Sequence, residues 1–243
     1  MPRFVILGQP RSGTTYLQTL LNSHPDLHCR GELFDPWQID DDGTKTKAPE
    51  AIAARDLEPI AFFDRMMSGD GLGRTPPWMG AKILFQHHPR LFSELIANTP
   101  DLVILYVRRR NKLAQFASLQ QVRKTGRWTD TGQDGKAQAP KLSPHPYWAK
   151  SECNRLENED FFLERWLETL PNPVLTLEYT ILPLPETQER VAGFLSMPGA
   201  RFSSPLRKQG QNRILDRFEN TDEIKAHFTA IGKAAWLGTE LDS

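Results

Sequence analysis

The chain has few cysteines, no excess of either charge and no long apolar run, and each shortage excludes a class of protein. Two cysteines, Cys29 and Cys153, occur in 243 residues. Two are too few for a disulfide framework, and neither sits in a Cys-x-x-Cys pair, so both read as reduced thiols. Lys plus Arg number 30 and Asp plus Glu number 30, a formal net charge of zero. A binder of bulk nucleic acid needs a basic excess, and an acidic disordered tail needs the opposite, so both are excluded. No stretch approaches the roughly 18 apolar residues of a membrane span. No basic segment followed by an apolar leader precedes the first structured stretch. The expectation is a cytoplasmic protein with no membrane span and no nucleic-acid partner. What is present suffices for one good core: 39% of residues are hydrophobic. Nineteen prolines point to several shaped loops.

Phe4 to Leu7 is a continuous apolar run that ends at Gly8, the signature of a buried parallel strand. Thr14 to Asn22 then places Tyr16, Leu17, Leu20 and Leu21 at helical spacing, and Ser23-His24-Pro25 stops it. Further strands are expected at Gly80 to Phe85, Leu102 to Val107 and Val174 to Leu177. Helices are expected at Pro89 to Asn98, Asn111 to Lys124, Phe161 to Leu170, Glu186 to Leu195 and Asp222 to Ile231. In the Phe161 helix, Phe162, Trp166, Leu167 and Leu170 define one side. This alternation implies an α/β fold, a three-layer arrangement with a mostly parallel central sheet flanked by helices. The expectation is a single domain over 1–243. Two polar excursions, 35–79 and 125–157, interrupt it on the substrate side, the first with a helix near Glu50 to Met67. The second is either a functional loop or disordered.

Gly8-Gln9-Pro10-Arg11-Ser12-Gly13-Thr14-Thr15 lies between the first strand and the first helix. Its spacing matches GxxxxGK[ST], with Thr14 in place of the lysine. A tight loop opening a helix points unsatisfied N–H groups outward, and the helix dipole adds positive charge, so an anion belongs there. The alternative is a turn that merely needs glycine. Nucleotide hydrolases also require an acidic residue that holds Mg²⁺ after a later strand. Here the strand Leu102 to Val107 runs instead into Arg108-Arg109-Arg110. The loop therefore suits a phosphate without bound metal, with Arg11 supplying the charge. Arg110, with Ser118 eight residues on, can grip a second phosphate at the edge where open sheets bind ligands.

Taken together these residues resemble the PAPS-dependent sulfotransferases, in particular the bacterial carbohydrate and nodulation-factor type. Pro10 to Thr15 is similar to that family's 5′-phosphosulfate loop, which implies cofactor contacts from Arg11, Ser12, Gly13, Thr14 and Thr15. Arg110 through Ser118 is similar to its 3′-phosphate motif. Leu21 to Leu27, Gly31-Glu32-Leu33-Phe34, and Leu206-Arg207-Lys208-Gln209 followed by Glu219 to Glu223 are also similar. In the family the last of these basic loops closes over the 3′-phosphate, which implies roles for Arg207 and Lys208. The Gly-rich ending of that loop in cytosolic animal enzymes is not reproduced. The resemblance spans Phe4 to about Trp236 and is weakest in the two excursions.

The resemblance implies sulfuryl transfer from PAPS to an acceptor hydroxyl, of a carbohydrate or glycolipid, with PAP as product and no metal. Glu32 is the first candidate for general base, and burial beside Leu33 and Phe34 is expected to raise its pKa. His87 and His88 are the rival bases. His24 and His28 are four apart, but Pro25 between them and the lack of a third ligand reject a metal site. Asp40-Asp41-Asp42 reads as a solvated loop, and Glu178-Tyr179 as structural support at the sheet edge. Trp128 and Trp148 either stack on a ligand or anchor the second excursion. A degenerate P-loop phosphotransferase and a non-catalytic nucleotide-binding protein are the competing functions. A homodimer is compatible with the sequence.

Overall fold

The computed structural model describes residues 2–69, 71–73, 75–129, 139–206 and 211–241. Five strands form one sheet: β1 (Arg3–Gly8), β2 (Leu27–Arg30), β5 (Trp78–Leu84), β6 (Val103–Arg108) and β7 (Val174–Glu178). Their order is β2-β5-β1-β6-β7, and every pairing is parallel. Parallel strands buried on both faces need continuous apolar runs, and Phe4 to Leu7 are all fully buried. Helices flank the sheet, as the sequence pattern anticipates. A small hairpin of β3 (Ile39–Asp41) and β4 (Thr44–Thr46) stands outside the sheet.

The chain divides into two compact units, residues 1–108 with 165–204, and 109–164 with 205–243. The first holds the sheet together with α1 (Thr14–Asn22), α2 (Pro49–Leu57), α3 (Pro59–Met67) and α6 (Pro185–Phe194). Phe4 and Ile6 of β1, Leu105 and Val107 of β6, Leu17 and Leu21 of α1, and Val191 of α6 share one core. The second unit holds α4 (Lys112–Thr125), most of α5 (Pro146–Leu167) and α7 (Thr221–Ala230). Its core joins Leu113, Phe116 and Ala117 of α4 to Ala149, Cys153 and Leu156 of α5 and to Ile224 and Phe228 of α7.

Several elements differ from the sequence-based expectation. The helix expected near Glu50 to Met67 is two helices, because Pro59 has no N–H to continue the first and opens the second at its N-terminus. The helix expected over Pro89 to Asn98 is a π-helical turn, Leu91–Ile96, whose wider winding buries Leu91, Leu95 and Ile96 together. The helix expected from Phe161 starts at Pro146, so the later part of the second polar excursion is regular structure. Its buried face is Ala149, Cys153, Leu156, Leu163 and Leu167, while Phe162 is exposed. The edge strand β2 was not anticipated at all. Residues 130–138 of that excursion lie outside the described residues, as do Arg207 and Lys208.

Candidate active site

The loop after β1 opens α1 without a side-chain cap. Its turn is shaped by Ser12, whose Oγ donates to the Gln9 carbonyl at 2.8 Å and whose N–H reaches the same oxygen at 3.3 Å. Gly13 sits at the N-cap with φ 103°, and Arg11 also adopts a left-handed φ of 63°. A Cβ on Gly13 would approach Leu182 Cδ1 at 2.8 Å and the Tyr179 ring at 2.9 Å. Glycine is required there by both conformation and space. By helix geometry the first-turn N–H groups of α1 have no acceptor within the helix, and the dipole adds partial positive charge at this end. The Glu178-Tyr179 pair supports the sheet edge as expected: Glu178 pairs with Arg108 at 3.5 Å, and Tyr179 packs under the loop.

Lys82 was not singled out in the sequence, yet it ties this loop to Glu32. It projects from the middle of β5 and is 4% exposed. Its Nζ donates to Thr15 Oγ1 at 2.8 Å and lies 2.9 Å from Glu32 Oε1. The other carboxylate oxygen, Oε2, is 3.6 Å from His87 Nε2. His87 is buried, and its Nδ1 accepts from the Leu84 N–H at 3.1 Å, which leaves Nε2 to face Glu32. Burial pushes the Glu32 carboxyl up, but the Lys82 ammonium and His87 outweigh it and hold it down at about 2. The expected raised pKa is thereby corrected: the neighbour that overturns it is a buried cation the sequence reading passed over. The available signal was a lone lysine within an apolar strand, which needs a partner. His88 is set apart by its own contact, an Nδ1 that accepts from the Arg90 N–H at 3.3 Å.

The three arginines after β6 separate into different roles. Arg108 pairs with Glu178. Arg109 is buried and gives both arms to Glu240, with Nε and Nη2 contacts of 2.6 Å each. Arg109 is therefore committed to Glu240. Arg110 is exposed, and Ser118 is buried within α4. Asn111 caps α4, its side chain accepting from the Ala114 N–H at 2.9 Å. These last residues belong to the second unit, whereas Arg11 to Thr15, Glu32, Lys82 and His87 belong to the first. Trp148 packs edge-on against Phe116 at 5.1 Å, the anchoring alternative.

The segment after Glu32 is held from below by Arg55 of α2, which is 2% exposed. Its Nη1 donates to the carbonyls of Leu33, Asp35 and Gln38 at 3.0, 2.9 and 3.1 Å. The acidic run beyond it is not a plain solvated loop. Asp41 pairs with buried Arg30, Asp42 accepts from Gln18 and Asn22, and Asp40 accepts from the Gly43 N–H at 2.9 Å. These contacts fix the β3–β4 hairpin. Among the described residues no group of three His, Cys, Asp or Glu is placed to hold a metal ion.

Comparison with known proteins adds a family to this geometry. Residues 2–180 match a model described as the sulfotransferase family. The chain is 30% identical over 240 residues to nodulation protein H of Rhizobium tropici, covering 93% of this chain and 88% of that protein. It is 29% identical to nodulation protein H of Rhizobium meliloti, strain 1021, over 93% and 90% of the two chains. A solved sulfotransferase from Alicyclobacillus acidocaldarius shares the fold, with a TM-score of 0.54 at 16% identity over 97% of this chain and 98% of that one. With a family model matched over most of its length and a curated relative 30% identical over nearly all of it, the chain belongs to the sulfotransferase family.

Proposed function

We propose that the chain transfers a sulfuryl group from PAPS to a hydroxyl of a carbohydrate acceptor. The observation that carries this reading is the Lys82 ammonium shared between Thr15 of the anion loop and Glu32. It joins a binding site for the donor's phosphosulfate to a group that can take the acceptor's proton. The loop fits such a donor: Thr14 stands at the hydrolase lysine's position, Arg11 earlier in the turn carries the positive charge, and Gly13 sits where a Cβ would fill the turn.

When bound, PAPS supplies an activated sulfur: the acceptor oxygen bonds to it as its bond to the 5′-phosphate oxygen breaks, and PAP leaves. Arg11 and the first-turn N–H groups stabilise the charge that grows on the leaving oxygen. Thr15 accepts from Lys82, so its own O–H remains to donate to the same anion. Ser12, with both donors turned to Gln9, contributes the shape of the loop. Glu32 takes the acceptor's proton. An anion at Thr15 competes with Glu32 for Lys82, and burial then lifts the carboxyl toward a useful base strength. Arg110 and Ser118 receive the 3′-phosphate. His87 orients Glu32, and His88 plays the lesser part.

A thermal-shift titration with PAP, PAPS, ATP and ADP, each with EDTA, tests the donor. PAP at a hundredfold excess over its Kd is expected to stabilise the chain by about 2.7 kcal/mol without metal. Arg110→Ala is expected to lose that shift. No response to millimolar PAP would overturn the reading, as would a parallel titration without EDTA in which only ATP with Mg²⁺ stabilises the chain. Glu32→Gln should bind PAP normally and lose roughly 100- to 10,000-fold in turnover. Retained turnover in that variant, with loss in His87→Ala or His88→Ala, would move the base to a histidine.

A further inference from the structure

Trp37 has no role in the chemistry above, and its placement is unusual. It is 83% exposed, whereas exposed loop tips generally carry small or polar residues. The loop that presents it is nonetheless firmly built. The Asp35 and Asp40 N–H groups both donate to the Glu32 carbonyl at 3.2 Å, and the Gln38 N–H donates to the Asp35 carbonyl at 3.2 Å. The Trp37 N–H itself donates to Asp35 Oδ1 at 2.8 Å. Beneath them buried Arg55 grips the carbonyls on both sides of the tryptophan, at Asp35 and Gln38. A nearly buried guanidinium thus organises a loop that holds an indole out to solvent.

We propose that Trp37 is a platform on which a sugar ring of the acceptor stacks. The proposal rests on the sulfotransferase reading and adds a binding residue for the acceptor. The same loop begins at Glu32. Five residues span at most about 17 Å, and the two turns shorten that, so the platform lies within a few linked rings of the base. An indole offers a flat apolar face with a polar edge, which matches the C–H face and hydroxyl rim of a pyranose. A fixed loop also lowers the ordering cost of binding. A membrane surface fits less well. The charge nearest the indole in sequence is the Asp35 carboxylate, which accepts from the Trp37 N–H, and it would repel anionic headgroups.

Trp37→Ala and Trp37→Phe test the platform, with cellotetraose and the tetramer of N-acetylglucosamine as acceptors. The alanine variant is expected to raise KM for at least one tetramer by about tenfold, the scale of one aromatic stacking contact. Its kcat and its Kd for PAP should stay near wild type, and Trp37→Phe should recover most of the KM. Tetramer binding should also change the intrinsic fluorescence of the wild type but not of Trp37→Phe. Unchanged KM in Trp37→Ala, or no tetramer binding to the wild type at millimolar concentration, would overturn the platform while PAP binding stands. Loss of PAP binding by the wild type itself would instead overturn the sulfotransferase reading.

Discussion

Lys82 and Glu32 show how one buried cation decides the protonation of a carboxyl. The Glu32 carboxyl lies at about 2, below its ordinary value of 4.5, because Lys82 and His87 outweigh the effect of burial. A depressed folded pKa contributes stability that is full above the unfolded value and is lost as pH falls through the folded one. For this group the window runs from pH 4.5 down to about 2, and the linkage is worth about 3 kcal/mol. Lys82→Met removes the counter-charge and leaves the burial. The Glu32 carboxyl should then rise, held down by His87 alone, and the acid limb of kcat/KM should shift to higher pH. Its stability near neutral pH should fall by about 3 kcal/mol. Denaturant melts from pH 3 to pH 8 and pH-rate profiles of both proteins check this. An unshifted acid limb in the variant would remove Lys82 from control of the base. This residue was hidden in the sequence because an apolar strand pattern absorbs one lysine without losing its shape, and the partner is 50 residues away in the chain, at Glu32.

At the scale of elements, local chemistry fixed some boundaries and tertiary packing fixed others. The bounds of α1, Thr14–Asn22, follow from the sequence alone, because Gly13 and Ser23-His24-Pro25 punctuate both ends. The edge strand β2 was illegible: Leu-His-Cys-Arg alternates too briefly to declare itself, and only pairing with β5 defines it. The first turns of α5 were hidden for another reason. Ala149, Cys153 and Leu156 follow helical spacing, but small or weakly apolar residues among Lys, Ser, Glu and Asn give little contrast. The turn between β1 and α1 was legible as a shaped strand-to-helix loop, and Gly13 is the residue there with a left-handed φ and no room for a Cβ. Gly13→Ala would force an L side chain into φ 103° and against Tyr179 and Leu182. A loss of about 1–3 kcal/mol is expected, together with loss of the PAP-induced shift. Urea melts and PAP titration of the variant check both, and an unaltered PAP response would mean that the loop shape is not required for binding.

For the whole molecule, the zero net charge conceals an uneven use of its cations. Arg109 and Arg217 converge on Glu240, Lys112 pairs with Asp160, Arg30 with Asp41, and Lys82 with Glu32. These pairs are largely buried, and salt screens buried pairs much less than exposed ones. Arg110 is the contrasting case, an exposed cation after the last buried residue of its run. Fold stability and donor binding should therefore respond differently to ionic strength. Raising NaCl from about 0.05 M to about 0.5 M contracts the screening length severalfold. The Kd for PAP should rise severalfold over that range, while the melting midpoint of the ligand-free protein should change little. Arg110→Ala should flatten the salt dependence of whatever PAP binding remains, because it removes an exposed contributor, whereas Glu240→Gln should lower the midpoint and leave the salt slope unchanged. Calorimetric titrations and melts at four salt concentrations separate the two effects. A Kd insensitive to salt in the wild type would show that an exposed arginine does not hold the 3′-phosphate, and would leave the phosphate loop with its buried lysine as the whole of the donor site.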